Sequence, residues 1–204
     1  MKKNIAFFFA FLTWFAVIAQ FYLMLEQSVI STTETTIRFF SYFTILTNTL
    51  IAIYFSNAAL KKNNEKKRIL DKDGSLTAIT TYITVVCITY QLVLRGLRDL
   101  QGIDRIVDEL LHSIIPVLVI GFWYVYENKK NINYTDIPKW LIYPFIYLIY
   151  ILVHGYYSGF YPYPFMEVNT IGFQQVLINT AIMMSFFIGM SALFVFIGKK
   201  ISKQ

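Results

Sequence analysis

Residues 37–59 read IRFFSYFTILTNTLIAIYFSNAA, and Arg38 is the only charged residue in this stretch. A helix needs about 20 mostly apolar residues to cross the ~30 Å hydrocarbon core of a bilayer. This stretch meets that requirement, and five other runs in the chain resemble it. We therefore predict an all-α polytopic membrane protein, a single domain over residues 1–204 that forms a bundle of six transmembrane helices. The predicted spans are 5–25, 37–59, 76–95, 106–126, 138–156 and 171–198.

The composition agrees with a lipid environment. Of the 204 residues, 56 % are hydrophobic and only 15 % are charged, too few polar residues to cover a soluble globule of this size. The longest connection, about 61–75, leaves no room for a soluble domain. Cys87 is the one cysteine, which excludes a disulfide framework and a cysteine-rich metal site.

The distribution of positive charge predicts the orientation. Cytoplasmic loops of membrane proteins retain most lysines and arginines. One side carries the amino terminus, the loops 61–75 and 127–139, and the carboxyl tail, whose basic residues are Lys2, Lys3, Lys61, Lys62, Lys66, Lys67, Arg68, Lys72, Lys129, Lys130, Lys139, Lys199, Lys200 and Lys203. The opposite side has only Arg38, Arg95, Arg98 and Arg105. We therefore expect both termini in the cytoplasm. The net charge of +6 follows from this asymmetry, and we expect no nucleic-acid partner.

Polar residues interrupt the second predicted span at helical spacing, at Ser41, Thr44, Thr47 and Asn48. Thr44 is seven residues beyond Ile37, which places it roughly 10 Å along a helix that rises 1.5 Å per residue. The fourth span enters from the same side, so His112 is expected at a similar depth. Ionisable residues inside a membrane span are costly unless they have partners, so they suggest a functional site.

The residues around His112 suit acid–base chemistry. Asp108 and Glu109 precede it by one helical turn, and Pro116 cannot donate a hydrogen bond to the His112 carbonyl. A hydroxyl beside a neutral imidazole is an activated nucleophile, and a carboxylate can orient the ring. Thr44 as nucleophile, His112 as base and Asp108 or Glu109 as orienting group would fill these roles. Asn48, one turn after Thr44, is placed with the supporting residues.

Other polar residues are expected in the same half of the membrane. Arg95 and Arg98 end the third span and could hold a substrate carboxylate, with Gln91 one turn before them; His154 is a further candidate substrate contact. No H-E-x-x-H or H-x-x-E-H spacing is present, so we expect no metal ligands, and no cofactor is expected. Residues 155–170, GYYSGFYPYPFMEVNT, predict an aromatic loop at the level of the lipid headgroups.

Three ordered motifs resemble a known family. They are RFFSYFTILTN at 38–48, DELLHSIIPVLVIGFW at 108–123 and HGYYSGFYPYPFMEVNTIG at 154–172. In this order, and across most of the chain, they resemble the androgen-induced and androgen-dependent multi-pass membrane hydrolases and their bacterial six-span relatives.

The resemblance implies a threonine hydrolase that cleaves fatty acid esters of hydroxy fatty acids or similar acyl lipids within the membrane. Carried over residue by residue, the threonine falls on Thr44 and the histidine on His112; Thr47 is the alternative nucleophile if the alignment shifts by one turn. We expect a multi-pass protein of the bacterial cytoplasmic membrane, with lipid as its partner and its site open to the outer leaflet.

Two other functions use the same sequence features. A non-catalytic lipid- or metabolite-binding protein, or a small transporter, would need the cavity without the chemistry. An acyltransferase would use the same residues and pass the acyl group to an acceptor other than water.

Overall fold

The computed structural model describes residues 1–61, 69–97 and 99–202, without the side chain of Ile69. The residues Lys62, Lys66, Lys67, Arg68 and Lys203, used above for the orientation, and the candidate Arg98 lie outside this part of the chain. The described residues form helices and connecting loops, with no strand among them. The all-α class predicted from the sequence is thus confirmed.

Ten α-helices follow one another along the described chain. They are α1 Lys2–Glu26, α2 Thr32–Phe39, α3 Phe43–Leu60, α4 Ser75–Thr89, α5 Gly102–Glu109, α6 Ile115–Tyr126, α7 Ile137–Trp140, α8 Ile142–Ser158, α9 Val168–Ile171 and α10 Phe173–Ile201. A π-helical turn, Tyr90–Leu94, continues α4, and a second one, Leu110–Ile114, joins α5 to α6.

Six helical segments in the described part of the chain are long and apolar enough to cross a membrane. Their bounds are Lys2–Glu26, Phe43–Leu60, Ser75–Leu94, Gly102–Tyr126, Tyr134–Ser158 and Phe173–Ile201. This confirms the six-span bundle. A helix satisfies its own backbone hydrogen bonds, which is why such apolar runs adopt it in lipid.

The third span lies at the centre of the bundle. In its most apolar stretch 67 % of the residues are buried, against 28 % for α1 and for α10. It packs against α3, α6 and α10, while α1 packs mainly on α3. Apolar side chains of α1 and α10 that point away from the bundle are exposed, such as Phe7, Phe11, Ile182 and Phe196. In a membrane these side chains would face lipid.

The two ends of the bundle carry different loops. At one end, the Lys3 ammonium donates to the Lys61 carbonyl at 2.7 Å, and Lys199 donates to Asn133 at 3.1 Å. The other end carries the connections 27–42 and 159–172 and the residues 95–97 and 99–101, and we call it the 159–172 end. Here Gln27 donates to Asp104 at 2.8 Å, and Arg38 lies over the ring of Phe160.

The second predicted span, 37–59, differs from the structure in one respect. The helix ends at Phe39, and α3 begins at Phe43 after an extended Tyr42. At the break, the Ser41 hydroxyl donates to the Ile37 carbonyl at 2.8 Å, and the Tyr147 hydroxyl donates to the Ser41 carbonyl at 2.8 Å. These side chains replace helical hydrogen bonds. Thr44 is therefore in the first turn of α3 and not seven residues along a continuous helix.

A close helix contact organises the 155–170 loop. A Cβ atom added to Gly155 of α8 would lie 2.0 Å from the ring of Tyr161. The absence of a side chain lets Tyr161 fold back onto α8, and Tyr163 and Met166 are buried behind it. Tyr156 and Tyr157 are exposed, as expected of interfacial tyrosines. The aromatic loop therefore has an exposed part and a part that packs into the bundle.

Candidate functional site

A cavity of about 80 Å³ lies between α3, α4, α8 and α10 and beneath the segment 163–166. It is partly open. Most of its wall is apolar, including Phe43, Val86, Leu148, Met183 and Phe187. The residues of the wall that carry hydroxyl or amide groups are Thr44, Thr89, Tyr147, Tyr163, Asn179 and Thr180. A mostly apolar lining with a few polar groups is typical of a small-molecule site.

Thr44 lies on this wall and is 6 % exposed. It is the second residue of α3, and the preceding Tyr42 makes no side-chain cap. The amide groups of Ile45 and Leu46 both donate to the Tyr42 carbonyl. The Thr44 amide lies too near the start of the helix to have an intrahelical acceptor. Its contact is the Tyr163 hydroxyl, at 3.5 Å. An N–H group and the positive end of a helix dipole therefore adjoin the Thr44 side chain.

The sequence left Thr47 as an alternative to Thr44, and the cavity distinguishes the two positions. Thr47 is fully buried, and its hydroxyl lies 3.3 Å from the Tyr143 hydroxyl. Among the described residues the cavity wall includes Thr44 but not Thr47. Ser41, the first polar residue of the stretch, is fully buried at the helix break. The position open to a ligand is thus Thr44.

Asn48 links the helix of Thr44 to the helix of His112. Its side chain is fully buried, and its amide nitrogen lies 2.9 Å from the Thr44 carbonyl and 3.3 Å from the Leu111 carbonyl. Its Oδ1 atom has no hydrogen-bond partner among the described residues. The π-helical turn Leu110–Ile114 supplies the Leu111 carbonyl, and such turns occur often at functional sites.

His112 is held by Asp108 and Tyr90. Its Nδ1 atom lies 3.0 Å from Asp108 Oδ1 and 3.0 Å from the Asp108 carbonyl. The ring stacks on Tyr90 with centroids 4.1 Å apart, and the Tyr90 hydroxyl donates to Asp108. A carboxylate, an imidazole and a phenol are thus joined in one cluster. This leaves Nε2 as the ring nitrogen that Asp108 does not hold.

The structure does not join His112 to Thr44 by a hydrogen bond in the part of the chain that it describes. His112 is also outside the described cavity wall. The two residues lie on neighbouring helices, connected through Asn48 and the Leu111 carbonyl. Their partners are Tyr163 for Thr44 and Asp108 for His112.

Glu109 belongs to a second part of the polar cluster. Arg95 pairs with Glu109 and also donates to Gln91. Gln91 donates to Ser113 at 2.8 Å, and Ser113 donates to Glu109 at 2.6 Å. The two acids before His112 are therefore distinguished by their partners, because only Asp108 contacts the imidazole. Arg95 and Gln91 are engaged with each other and with neighbouring side chains, away from the described cavity wall.

His154 lies near the carboxyl end of α8. Its Nδ1 is 3.4 Å from the Ser158 hydroxyl, and its ring lies between Tyr150 and Phe160. It is not among the described residues of the cavity wall. For metal binding, the described residues include no group of three or more His, Cys, Asp or Glu side chains that could hold an ion.

The residue that reasoning from the sequence missed is Tyr163. It lies on the cavity wall, 8 % exposed, with its hydroxyl at Thr44. Burial raises the pKa of Tyr163 to about 12, while hydrogen bonds from Thr44 act in the opposite direction. The signal available in the sequence was the run YPYPF at 161–165, whose two prolines restrict the backbone on either side of the tyrosine.

Comparisons with models of protein families, with curated proteins and with solved structures found no match for this chain.

Proposed function

We propose that the protein is a membrane-embedded lipid ester hydrolase in which Thr44 is the nucleophile and His112 the general base. The main support for the proposal is that Thr44 lies on the wall of a partly open, mostly apolar cavity. Thr44 also lies at the N-terminal end of α3, where its N–H group donates to the Tyr163 hydroxyl, and this polar environment suits a nucleophile whose attack develops negative charge on the ester oxygen.

The proposed reaction needs only side chains and water. The Thr44 oxygen forms a bond to the ester carbonyl carbon, and its proton passes to His112. The alcohol then leaves with a proton from His112, and water releases the fatty acid from Thr44 by the reverse sequence. Asp108 fixes the tautomer of His112 by holding Nδ1, as the carboxylate of a catalytic triad does.

The separation of Thr44 from His112 sets a requirement on this mechanism. The Thr44 hydroxyl and Nε2 of His112 have to approach each other when substrate binds, since catalytic hydrogen bonds often close only in the substrate complex. His112 lies within the π-helical turn Leu110–Ile114, where the backbone forms i→i+5 hydrogen bonds in place of the i→i+4 bonds of an α-helix. A change at this turn would move His112 relative to α3.

We propose fatty acid esters of hydroxy fatty acids, or similar acyl lipids, as substrates, on the resemblance of the three motifs. The apolar wall would hold the acyl chain, and the ester would lie at Thr44. The lysines predicted from the sequence to be cytoplasmic, of which Lys3, Lys61 and Lys199 lie at the end of the bundle opposite the 159–172 end, support an opening of the site toward the outer leaflet of a bacterial cytoplasmic membrane.

A turnover assay on the purified protein in detergent or nanodiscs tests the proposal. The substrate is an ester of palmitic acid with a hydroxystearic acid, and the variants are Thr44→Val, Thr47→Val and His112→Gln. We expect the first and third to lose hydrolysis and Thr47→Val to retain most of it. Full turnover in both Thr44→Val and His112→Gln would remove the proposal.

One observation favours a second function, lipid binding without catalysis. In the described structure Thr44 and His112 have separate hydrogen-bond partners, so the cavity is complete without a nucleophile–base pair. A binding protein would retain a fluorescent fatty acid with micromolar affinity, release no alcohol from the ester, and bind equally well after His112→Gln.

A further inference from the structure

Tyr163 is held firmly against Thr44. Its ring stacks on Phe165 with an interplanar angle of 4° and meets the edge of Tyr42 at a centroid distance of 5.9 Å. The Asn179 amide donates to the Phe165 carbonyl at 2.8 Å, which ties this segment to α10. The phenol is therefore fixed by contacts with α3, its own loop and α10.

The position of the hydroxyl coincides with the place where charge would develop. Its oxygen accepts from the Thr44 N–H group at 3.5 Å and from the Thr44 side chain, which leaves the phenol proton available to another acceptor. When the Thr44 oxygen attacks an ester carbonyl, the carbonyl π electrons move to the oxygen, which becomes an oxyanion. A donor beside the nucleophile and its N–H group is where serine-type hydrolases bind that oxygen.

The protonation state of Tyr163 fits a donor and not a base. Burial in the cavity wall raises its pKa to about 12, so the phenol keeps its proton at neutral pH. A neutral phenol in an apolar site can donate a strong hydrogen bond to an oxyanion without transferring the proton.

We infer that Tyr163 is a catalytic residue of this site, whose O–H group, together with the Thr44 N–H group, stabilises the oxyanion formed by attack of Thr44. The inference rests on the proposed function. In the balanced step, the Thr44 proton goes to His112 and the carbonyl electron pair goes to the oxygen held by Tyr163. When the intermediate collapses, this electron pair re-forms the carbonyl bond, the bond to the alcohol oxygen breaks, and His112 passes its proton to that oxygen. Tyr163 gains and loses no proton.

Tyr143 provides a matched control. It is a partly buried tyrosine beside a threonine of α3, with its hydroxyl 3.3 Å from Thr47, and it is outside the described cavity wall. Replacing either tyrosine by phenylalanine removes one hydroxyl that contacts a threonine of α3 and keeps the ring. The two variants differ in whether that threonine lies on the cavity wall.

The experiment compares Tyr163→Phe, Tyr143→Phe and the unaltered protein in nanodiscs, on the palmitic ester of a hydroxystearic acid. We expect Tyr163→Phe to lower kcat by about 100-fold or more, the usual loss for one oxyanion donor. We expect KM, and the affinity for a non-hydrolysable ether analogue, to stay within twofold. Tyr143→Phe should retain kcat within a few fold. A kcat for Tyr163→Phe within threefold of the unaltered protein would overturn the inference.

A second substitution distinguishes loss of the hydrogen-bond donor from loss of folding. Incorporation of 3,5-difluorotyrosine at position 163 keeps the shape and the hydroxyl but makes the phenol more acidic. We expect near-normal kcat at neutral pH and a loss of activity on the alkaline side at a pH lower by about one unit or more. An unchanged alkaline limb counts against Tyr163 as the donor.

The outcomes separate the two proposals. Turnover that requires Thr44 but survives Tyr163→Phe would reject only the role of Tyr163. An unaltered protein that binds the ether analogue but hydrolyses no ester would reject the hydrolase, and the role of Tyr163 with it.

Discussion

The amide nitrogen of Asn48 on α3 lies 3.3 Å from the Leu111 carbonyl, and the same nitrogen lies 2.9 Å from the Thr44 carbonyl. One buried side chain thus spans the helix of the proposed nucleophile and the helix of the proposed base. The acceptor at Leu111 belongs to the π-helical turn that precedes Pro116. Asn48 therefore sets the spacing between the two halves of the proposed site.

Asn48→Leu should destabilise the bundle. The substitution leaves the Leu111 carbonyl without this donor, and an unsatisfied buried polar group costs about 1–3 kcal/mol. Thermal unfolding in detergent would show a lower midpoint than for the unaltered protein. An Asn48→Leu midpoint at or above that of the unaltered protein would show that the bridge does not stabilise the bundle.

Asp108→Asn should lower kcat with little effect on KM. Asp108 contacts His112 and would set its tautomer, and we expect a loss of about 100-fold or more because a carboxamide cannot orient the base in the same way. Glu109→Gln is the matched control, since Glu109 pairs with Arg95 and Ser113. We expect a much smaller effect from it. Steady-state kinetics on both variants make the comparison, and equal losses would contradict the assignment.

Gly155→Ala should destabilise the 155–170 loop. A Cβ at this position would lie 2.0 Å from the Tyr161 ring, so the ring has to move, at a cost of about 1–3 kcal/mol. Gly189→Ala on α10 is the control, because nothing lies within 4 Å of a Cβ there. Thermal unfolding of the two variants makes the measurement. Movement of Tyr161 should also alter the neighbouring Tyr163, so ester turnover is expected to fall in Gly155→Ala only.

Glu127 should make stability depend on pH. This residue follows α6, where its carboxylate accepts hydrogen bonds from the Gly74 amide and the Thr77 hydroxyl. Burial is the main cause that raises the pKa of Glu127 above its ordinary value of 4.5. The folded protein then holds this proton more tightly than the unfolded chain, so the contribution of Glu127 to stability falls as pH rises from about 4.5 through the folded-state pKa.

The difference in unfolding midpoint between the unaltered protein and Glu127→Gln isolates that contribution. As the pH is raised through this window, we expect the unfolding midpoint of Glu127→Gln to rise relative to that of the unaltered protein. Above the window the difference between the two midpoints should stay constant. A difference that stays constant from pH 4 to pH 8, or that changes in the opposite direction, would contradict the raised pKa.

The architecture could be predicted from the sequence because six apolar runs have few alternatives in lipid, where each backbone group needs an internal partner. The break between α2 and α3 could not, because it depends on Tyr147, more than a hundred residues away, which donates to the Ser41 carbonyl. The local pattern of apolar residues does not predict such a long-range hydrogen bond.

The candidate site was predictable in its residue types and less so in its connections. Helical spacing predicts that Asp108 and Glu109 are equally able to contact His112. In the packed structure Glu109 pairs with Arg95, and Asp108 contacts the imidazole. Tyr163 is in a loop whose aromatic composition is equally typical of a membrane interface. Its position at Thr44 follows from the close packing of Tyr161 on Gly155 and from the hydrogen bond of Asn179.

The most direct measurement is detection of an acyl group on Thr44. The unaltered protein and Thr44→Val are mixed for milliseconds to seconds with a palmitic ester, quenched in acid, digested and analysed by mass spectrometry. We expect a palmitoyl group on the peptide that contains Thr44, formed at a rate no slower than turnover and absent from Thr44→Val. Turnover without any acylated peptide, or the same acylation on Thr47 in both proteins, would contradict it.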